Sequence, residues 1–392
     1  MPLVSLPRGT FTQNPGLPLL RSGLPRVPVI LLGCLGLFLV LLGACSPSKP
    51  LYLGFLGTLS GRFSDLSESG HNGAILAIEE ANRSGGVQGR DIELIEEDDR
   101  ADGEVAVAAF EKLLSRGAVA VVGPMISKTA LAVVPSANQH GVVVMGPTIS
   151  TNQLTGIDDW FFRVYTPSEV TSRQLARLIW SLGARRVMGV YDLTNRAHTE
   201  GAYVPFRDEF LKQGGTVLPA LTFSASEQAS FTQLARQIAA EGADSVFAIM
   251  GTLDTALLSQ CLAKAGSKPL LCCTDWSGTG ELAKFGGQSI DGLVFLHSMN
   301  KQANAGFRQA YLKRFTTAPD FAALRSYEAT WILLQALRKN PDSRALRSTL
   351  LSTARFQVAE ELIEFDRFGD VQRSHFPYRL VAGEMQPLKA PP

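Results

Sequence analysis

Apolar residues along this chain arrive in short runs of five to eight, and between the runs they thin out to the three-and-four spacing of amphipathic helices. The pattern predicts strand 51–57, helix 73–82 with a Gly85-Gly86 stop, strand 92–96, helix 104–115 closed by Gly117, strand 119–122, helix 129–140 closed by Gly141, and strand 142–145. The same grammar then restarts with strand 187–191, helix 203–213, strand 216–223, helix 231–241, strand 245–250, helix 255–264, and strands 269–274 and 293–297. A later helix, 326–337, and a strand pair around 357–365 and 378–381 complete the chain. Strands alternating with helices argue for parallel sheets with helical crossovers, and near-continuous apolar strands such as 118–122 fit sheets covered on both faces. The fold class expected is therefore α/β, with two doubly wound parallel-sheet lobes joined by a multi-crossover hinge. The first lobe is expected over 51–167 with about 298–355 returning to it, and the second over 168–297 with about 356–388 returning. Ligands of such sheets bind outside the carboxyl ends of the strands, so a site is expected where the two sets of strand ends face each other.

Ahead of this pattern, Arg8, Arg21 and Arg26 precede an apolar run over 27–42 that ends in Leu42-Gly43-Ala44-Cys45-Ser46. A basic stretch, an apolar stretch and small residues before the cut describe a secretory signal. The cysteine after Leu-Gly-Ala resembles the bacterial lipobox, which implies a removed peptide over 1–44, a diacylated Cys45 and a lipidated tether over 45–50. The location expected is the periplasm or cell surface, on a membrane by a lipid anchor. The length of the run also permits a retained transmembrane anchor, and Leu31-Leu32-Gly33-Cys34 forms a second, poorer box with half of the run after it.

Composition narrows the function classes. Residues 45–392 exceed what one hydrophobic core usually holds, which agrees with two domains and a cleft between them. The 37 basic and 36 acidic residues leave a formal net charge of +1, without a basic-aromatic platform, so no nucleic-acid partner is expected. Cys261, Cys272 and Cys273 show no Cys-x-x-Cys spacing and indicate neither a zinc site nor a disulfide framework; Cys272 and Cys273 sit in an apolar strand pattern as packed thiols, and a pair involving Cys261 stays open. Five dispersed histidines give no metal cluster. There is no phosphate-binding Gly-x-x-x-x-Gly-Lys, no His-Glu-x-x-His and no Gly-x-Ser-x-Gly, and the match of 278–283 to a dinucleotide fingerprint lacks its strand–helix setting. No catalytic residue, metal or cofactor is expected.

Three strand ends carry candidate binding chemistry. Gly123-Pro124-Met125-Ile126-Ser127 opens a helix whose free N–H groups attract an anion; Ser127 either adds a hydroxyl donor to that site or merely caps the helix. Gly146-Pro147-Thr148-Ile149-Ser150-Thr151 is another run of small hydroxyl residues, which reads equally as an ordinary polar turn. Asp275-Trp276 follows the 269–274 strand, and the acid either pairs with a cation across the cleft or serves as an N-cap. Trp276 lines the site or packs behind it.

The residues taken in order resemble a family. Gly54-Phe55-Leu56-Gly57-Thr58-Leu59-Ser60-Gly61, Gly85-Gly86-Val87-Gln88-Gly89-Arg90, Asp98-Asp99, Val122-Gly123-Pro124 with Ser127, and Phe162-Arg163 are similar to solute-binding proteins of the leucine/isoleucine/valine type, the receptors of branched-chain amino acid ABC importers, over 51 to about 385. The resemblance implies the type 1 periplasmic-binding fold, in which two lobes close on a small ligand, here an amino acid or related polar solute, and deliver it to permease subunits without chemistry. It implies that Ser127, Thr148 and Ser150 hold a carboxylate and an amine, and that Asp275, one methylene shorter than the family's glutamate, binds an ammonium. Leu66, His198 and the Leu253 region depart from the aromatic residues expected around the ligand, whereas Tyr327 is kept, so the side-chain pocket is altered. The alternative reading is a ligand-sensing lipoprotein coupled to a signalling partner.

Overall fold

A computed structural model describes residues 49–61, 63–224, 230–279, 281–300 and 303–388. Cys45 and the apolar run before it lie outside the described residues. Among the described residues no helix is long and apolar enough to cross a membrane.

The first lobe runs β1 (Leu51–Gly57), α1 (Ser64–Arg83), β2 (Ile92–Asp98), α2 (Gly103–Ser115), β3 (Ala118–Val122), α3 (Ser127–His140), β4 (Val144–Gly146) and β5 (Phe161–Arg163). Its strands pair in parallel in the order β2-β1-β3-β4-β5. The second lobe runs α4 (Ser168–Ser181), β6 (Arg186–Asp192), α5 (Arg196–Lys212), β7 (Thr216–Phe223), α6 (Phe231–Glu241), β8 (Ser245–Ile249), α7 (Thr252–Lys264), β9 (Leu270–Cys273), α8 (Glu281–Gly286) and β10 (Val294–His297). Strand order changes direction between β1 and β3 in one sheet and between β6 and β8 in the other, which places open crevices at those carboxyl ends.

After β10 the chain returns to the first lobe as α9 (Ala305–Phe315), α10 (Phe321–Lys339) and α11 (Leu346–Thr353), followed by a hairpin of β11 (Arg355–Val358) and β12 (Glu361–Glu364). β13 (Phe376–Val381) and β14 (Glu384–Pro387) then add antiparallel to the edge of the second sheet beyond β10. The chain thus crosses between lobes near 164–167, 298–304 and 366–375. One expectation is corrected here. The hairpin does not return to the second lobe: Phe365 meets Phe162 at 5.5 Å and Phe356 at 5.9 Å, so it stays on the first lobe, and only the chain after it returns.

Three helices begin about five to nine residues earlier than the apolar periodicity indicates: α1 at Ser64, α5 at Arg196 and α10 at Phe321. The first turns of α1 and α5 are polar and carry few core contacts, so no apolar stripe marks them. Cys261 is a free thiol, and Cys272 and Cys273 are free and buried.

Packing of α10 on α1 depends on small residues. Gly73 lies in the middle of α1, and a Cβ added there would sit 2.0 Å from the Ala323 carbonyl oxygen of α10. A Gly→Ala change in a helix interior ordinarily gains about 1 kcal/mol of helix propensity. Here the obstacle is backbone, which cannot swing aside, and overpacking of this kind costs about 1–3 kcal/mol or more. Gly73→Ala is therefore expected to destabilise the protein, lowering the urea midpoint without loss of the unfolding slope; an unchanged or raised midpoint would show that the two helices can part freely.

Candidate binding cleft

The carboxyl-end loops of both sheets converge on one cavity of about 30 Å³. The first lobe lines it with Leu66 of α1, Met125, Ile126 and Ser127 at the start of α3, Thr148 and Ser150 after β4, and Phe321 at the start of α10. Tyr165 enters from the first crossover, and the second lobe adds Asn195 and His198 after β6 with Asp275 and Trp276 after β9. The turn before α3 is possible only because residue 123 is glycine: its φ is +112°, and a Cβ there would lie 2.0 Å from the Leu56 carbonyl oxygen.

The first-lobe wall is rich in donors. Helix α3 points its N-terminus at the cavity, where unpaired N–H groups and the helix dipole favour negative charge. One of these groups, the Lys128 N–H, donates to Asn195 Oδ1 of the other lobe at 3.2 Å. Thr148 Oγ1 donates to the Met125 carbonyl oxygen at 2.5 Å, so its hydroxyl proton is committed and only its lone pairs face outward. Ser150 Oγ lies 2.7 Å from His198 Nδ1 across the cleft.

The second-lobe wall carries the acid. Asp275 is 6% exposed and accepts a hydrogen bond from the Tyr165 hydroxyl on Oδ1. Burial raises its pKa from 3.8 to about 6, against the opposing pull of the Tyr165 hydroxyl, the nearby Ser298 and the Arg325 charge. Burial also lowers His198 to about 4, so the imidazole is neutral at ordinary pH. Its ring stands edge-on to Trp276 with centroids 5.4 Å apart, and Trp276 packs in turn on Phe63 of the first lobe at 5.6 Å.

Of the residues singled out in the sequence, Leu66, Ser127, Thr148, Ser150, His198, Asp275 and Trp276 come together here. Tyr327 does not. Its hydroxyl donates to Glu80 Oε2 of α1 at 2.7 Å and its ring packs on Phe307 of α9 at 4.9 Å, away from the cavity. The reason is the helix start: with Asp320 capping α10 through the Ala323 N–H, the aromatic at the opening turn is Phe321, and Tyr327 falls on a face turned toward α1. Tyr165, Asn195 and Phe321 were not identified from sequence. Asp320 before Phe-Ala-Ala-Leu is a capping signal that marks Phe321; Tyr165 and Asn195 carry no comparable local mark.

With the geometry in place, comparison with known proteins is informative. The family profile described as "Periplasmic binding protein" matches residues 50–379. The chain belongs to the periplasmic binding protein family. Over 331 residues it is 21% identical to the Leu/Ile/Val-binding protein homolog 3 of Brucella melitensis, covering 83% of this chain and 89% of that one. Its fold is similar to that of the branched-chain amino acid transporter substrate binding protein LivJ from Streptococcus pneumoniae in complex with isoleucine, with TM-score 0.80, 19% identity and coverage of 86% and 98%. It is also similar to an ABC transporter solute binding protein from R. palustris in complex with benzoate, with TM-score 0.78, 19% identity and coverage of 86% and 95%. These structures establish for this periplasmic binding protein the two-lobed α/β fold.

The exchange of one aromatic for another yields a direct check. Phe321→Ala removes an apolar wall of the cavity and should weaken solute binding roughly tenfold or more, from the 1.5–3 kcal/mol that burying such a side chain contributes. Tyr327→Phe should leave affinity within about twofold, since its hydroxyl serves Glu80. Calorimetry with the solute retained through purification compares them, and a Tyr327→Phe defect as large as that of Phe321→Ala would return Tyr327 to the site.

Proposed function

We propose that the protein is the extracytoplasmic, lipid-anchored receptor that captures an α-amino acid for an ABC importer. The observation that carries this reading is the charge layout of the cleft: the N-terminus of α3 with Ser127 and Ser150 forms an anion-favouring wall, and a buried carboxylate without a cationic partner, Asp275, shares the same cavity. A zwitterion complements both. The apolar lining of Leu66, Met125, Ile126, Phe321 and Trp276 favours an aliphatic or aromatic side chain. The relatives named for leucine, isoleucine and valine support the class, and Leu42-Gly43-Ala44-Cys45 supports the anchor. The benzoate complex of a structural relative shows that this fold also serves a carboxylate with no amine, so Asp275 is the discriminating residue.

At about 30 Å³ the cavity is a fraction of the 150 Å³ or so that holds benzene, so a solute reaches it by parting of the lobes and is then enclosed from both sides. Closure on the solute needs no reaction; the closed state gains population because it alone contacts the solute from both lobes.

Asp275→Asn keeps the shape and removes the charge. Affinity for amino acids should fall by about 2–5 kcal/mol, as for a buried charge pair that loses one partner. Ser127→Ala should cost roughly 0.5–1.5 kcal/mol, because neighbouring N–H groups still face the carboxylate. Titration of amino acids and their des-amino analogues into both variants and wild type decides the matter: a wild type that prefers the des-amino acid removes the amine from the proposal.

Acid gives an independent reading. An ammonium pairs with the ionised Asp275, so affinity should fall as pH drops below about 6, approaching tenfold per unit. The sign for stability is opposite in the solute-free protein. Because the folded pKa lies above 3.8, protonated Asp275 favours the fold below that value, and this contribution is lost as pH rises through about 6. The solute-induced rise in Tm should therefore be larger at pH 8 than at pH 5, and an equal rise would place the charge elsewhere.

For the anchor, Cys45→Ser should abolish fatty-acid labelling and release the protein from membranes. A variant that stays bound and uncut would mean that the 27–42 run is itself the anchor.

A further inference from the structure

The opening turns of α5 offer three polar groups to the first lobe, and the helix itself uses none of them. Asn195 stands at the N-cap position, where an asparagine side chain ordinarily accepts from the N–H groups of its own helix. It makes no such cap: its Oδ1 accepts from the Lys128 N–H of α3 at 3.2 Å, and the residue is 3% exposed. Three residues on, His198 Nδ1 lies 2.7 Å from Ser150 Oγ. Three further on, the Gly201 carbonyl oxygen accepts from Asn152 Nδ2 at 3.1 Å. That carbonyl is available because its regular helix donor would be the N–H of residue 205, which is a proline inside the helix and has none. Asn152 is held to meet it, since its Oδ1 accepts from the Glu169 N–H of α4 at 3.0 Å.

Residues 195, 198 and 201 are spaced by three and run along one side of the helix. Their partners sit on the first-lobe wall that favours an anion, Lys128 beside Ser127 at the α3 terminus and Ser150 and Asn152 in the turn after β4. Two groups that the proposed function gives to the solute, the α3 terminus and Ser150, are therefore already served by the other lobe.

We propose that this edge of α5 is a latch that closes the empty cleft, and that Asn195 is an internal stand-in at α3 for the anionic group of the solute, which must displace it. The inference rests on the proposed function in placing the carboxylate at α3. The stand-in is a carboxamide, so it makes one ordinary hydrogen bond, whereas a carboxylate gains the helix dipole as well. The latch is thus strong enough to hold the lobes together and weak enough to yield to charge. Its sequence signature is an asparagine at a helix start that does not cap, and a proline four residues after a glycine.

The rival role for Asn195 is a direct contact to the solute, and the two roles give opposite signs. If Asn195 is the stand-in, Asn195→Ala removes a competitor, and calorimetry with L-leucine should show affinity raised by roughly two- to tenfold, the worth of one net hydrogen bond. If it is a contact, affinity falls, which overturns the proposal. Because Asn195 makes no cap, the alanine variant keeps the start of α5. Asn195→Asp puts a tethered carboxylate at the same N–H, so leucine affinity should drop by about tenfold or more; an unchanged affinity also overturns the proposal.

Hydrogen exchange on the full chain, dialysed free of solute, tests the latch without any ligand. Amides over 126–130 and 148–153 should exchange slowly in wild type, on the order of tenfold faster in Asn195→Ala, and no faster than wild type in Asn195→Asp. Equal exchange in wild type and Asn195→Ala rejects the latch. Should no form of the protein bind leucine, the amino-acid reading fails, and the exchange comparison still decides whether α5 closes the cleft.

Discussion

The hinge is held by a knot of buried charge. Arg325 and Glu328, one turn apart on α10, are both fully buried and bonded at 2.6 and 2.7 Å, and Arg373 closes on the same carboxylate at 2.5 and 3.0 Å and on Glu361 as well. Burying ions costs several kcal/mol each, and such a group is tolerated only when geometry satisfies nearly every donor. Here the spare donors reach the backbone: Arg325 donates to the Ser298 carbonyl at 2.6 Å and Arg373 to the Val164 carbonyl at 3.2 Å. Those carbonyls belong to the second and first crossovers, and Arg373 itself belongs to the third. One cluster therefore ties all three connecting strands together at one point.

That constraint reaches the cleft by two routes. Through space, the Arg325 charge opposes the burial of Asp275, and burial wins, leaving the carboxyl near 6. Through the backbone, the buried Arg163 at the end of β5 donates to the Thr151 carbonyl at 2.8 Å and to Asp370 Oδ1 at 2.7 Å. Arg163 thus ties the loop that carries Thr148 and Ser150 to the third crossover. Both walls of the cavity are braced from behind by arginines that do not line it, which keeps the donors of one wall and the acid of the other in register.

How far the sequence foretold this follows from which side chains report to the core. Strands β1, β3 and β8 are apolar on both faces and were plain in the hydropathy pattern, as were the helix stops at Gly141 and Gly242. Ser127, Thr148, Ser150 and Asp275 sit at strand ends, and that position together with the family resemblance marked them. The polar first turns of α1 and α5 face the cleft, so periodicity was silent about them, and the misplaced start of α10 carried Tyr327 into the expected site in place of Phe321. Tyr165 and Arg373 depend on crossovers that meet only in three dimensions. The hairpin went to the wrong lobe for the same reason: its apolar face fits any sheet, and only Phe162 opposite Phe365 decides.

The lobes also hold each other directly. Ser150 meets His198 at 2.7 Å, the Lys128 N–H meets Asn195 at 3.2 Å, Asn152 Nδ2 donates to the Gly201 carbonyl at 3.1 Å, and Tyr165 donates to Asp275. Each of the three neutral contacts contributes about 0.5–1.5 kcal/mol net of water and the bond to the Asp275 carboxylate about 1.5–3 kcal/mol, so together they amount to a few kcal/mol. Moving a two-state equilibrium from 1:99 to 99:1 takes about 5.5 kcal/mol. The protein's own contacts are therefore comparable to the whole switching energy, and the solute supplies only the difference. Asn195 sharpens that difference, because it occupies an N–H at the α3 terminus where a carboxylate is most favoured. A solute that binds there competes with a neutral carboxamide for the same wall, and a full negative charge wins that contest through the helix dipole, whereas a neutral solute gains little over the contact it displaces.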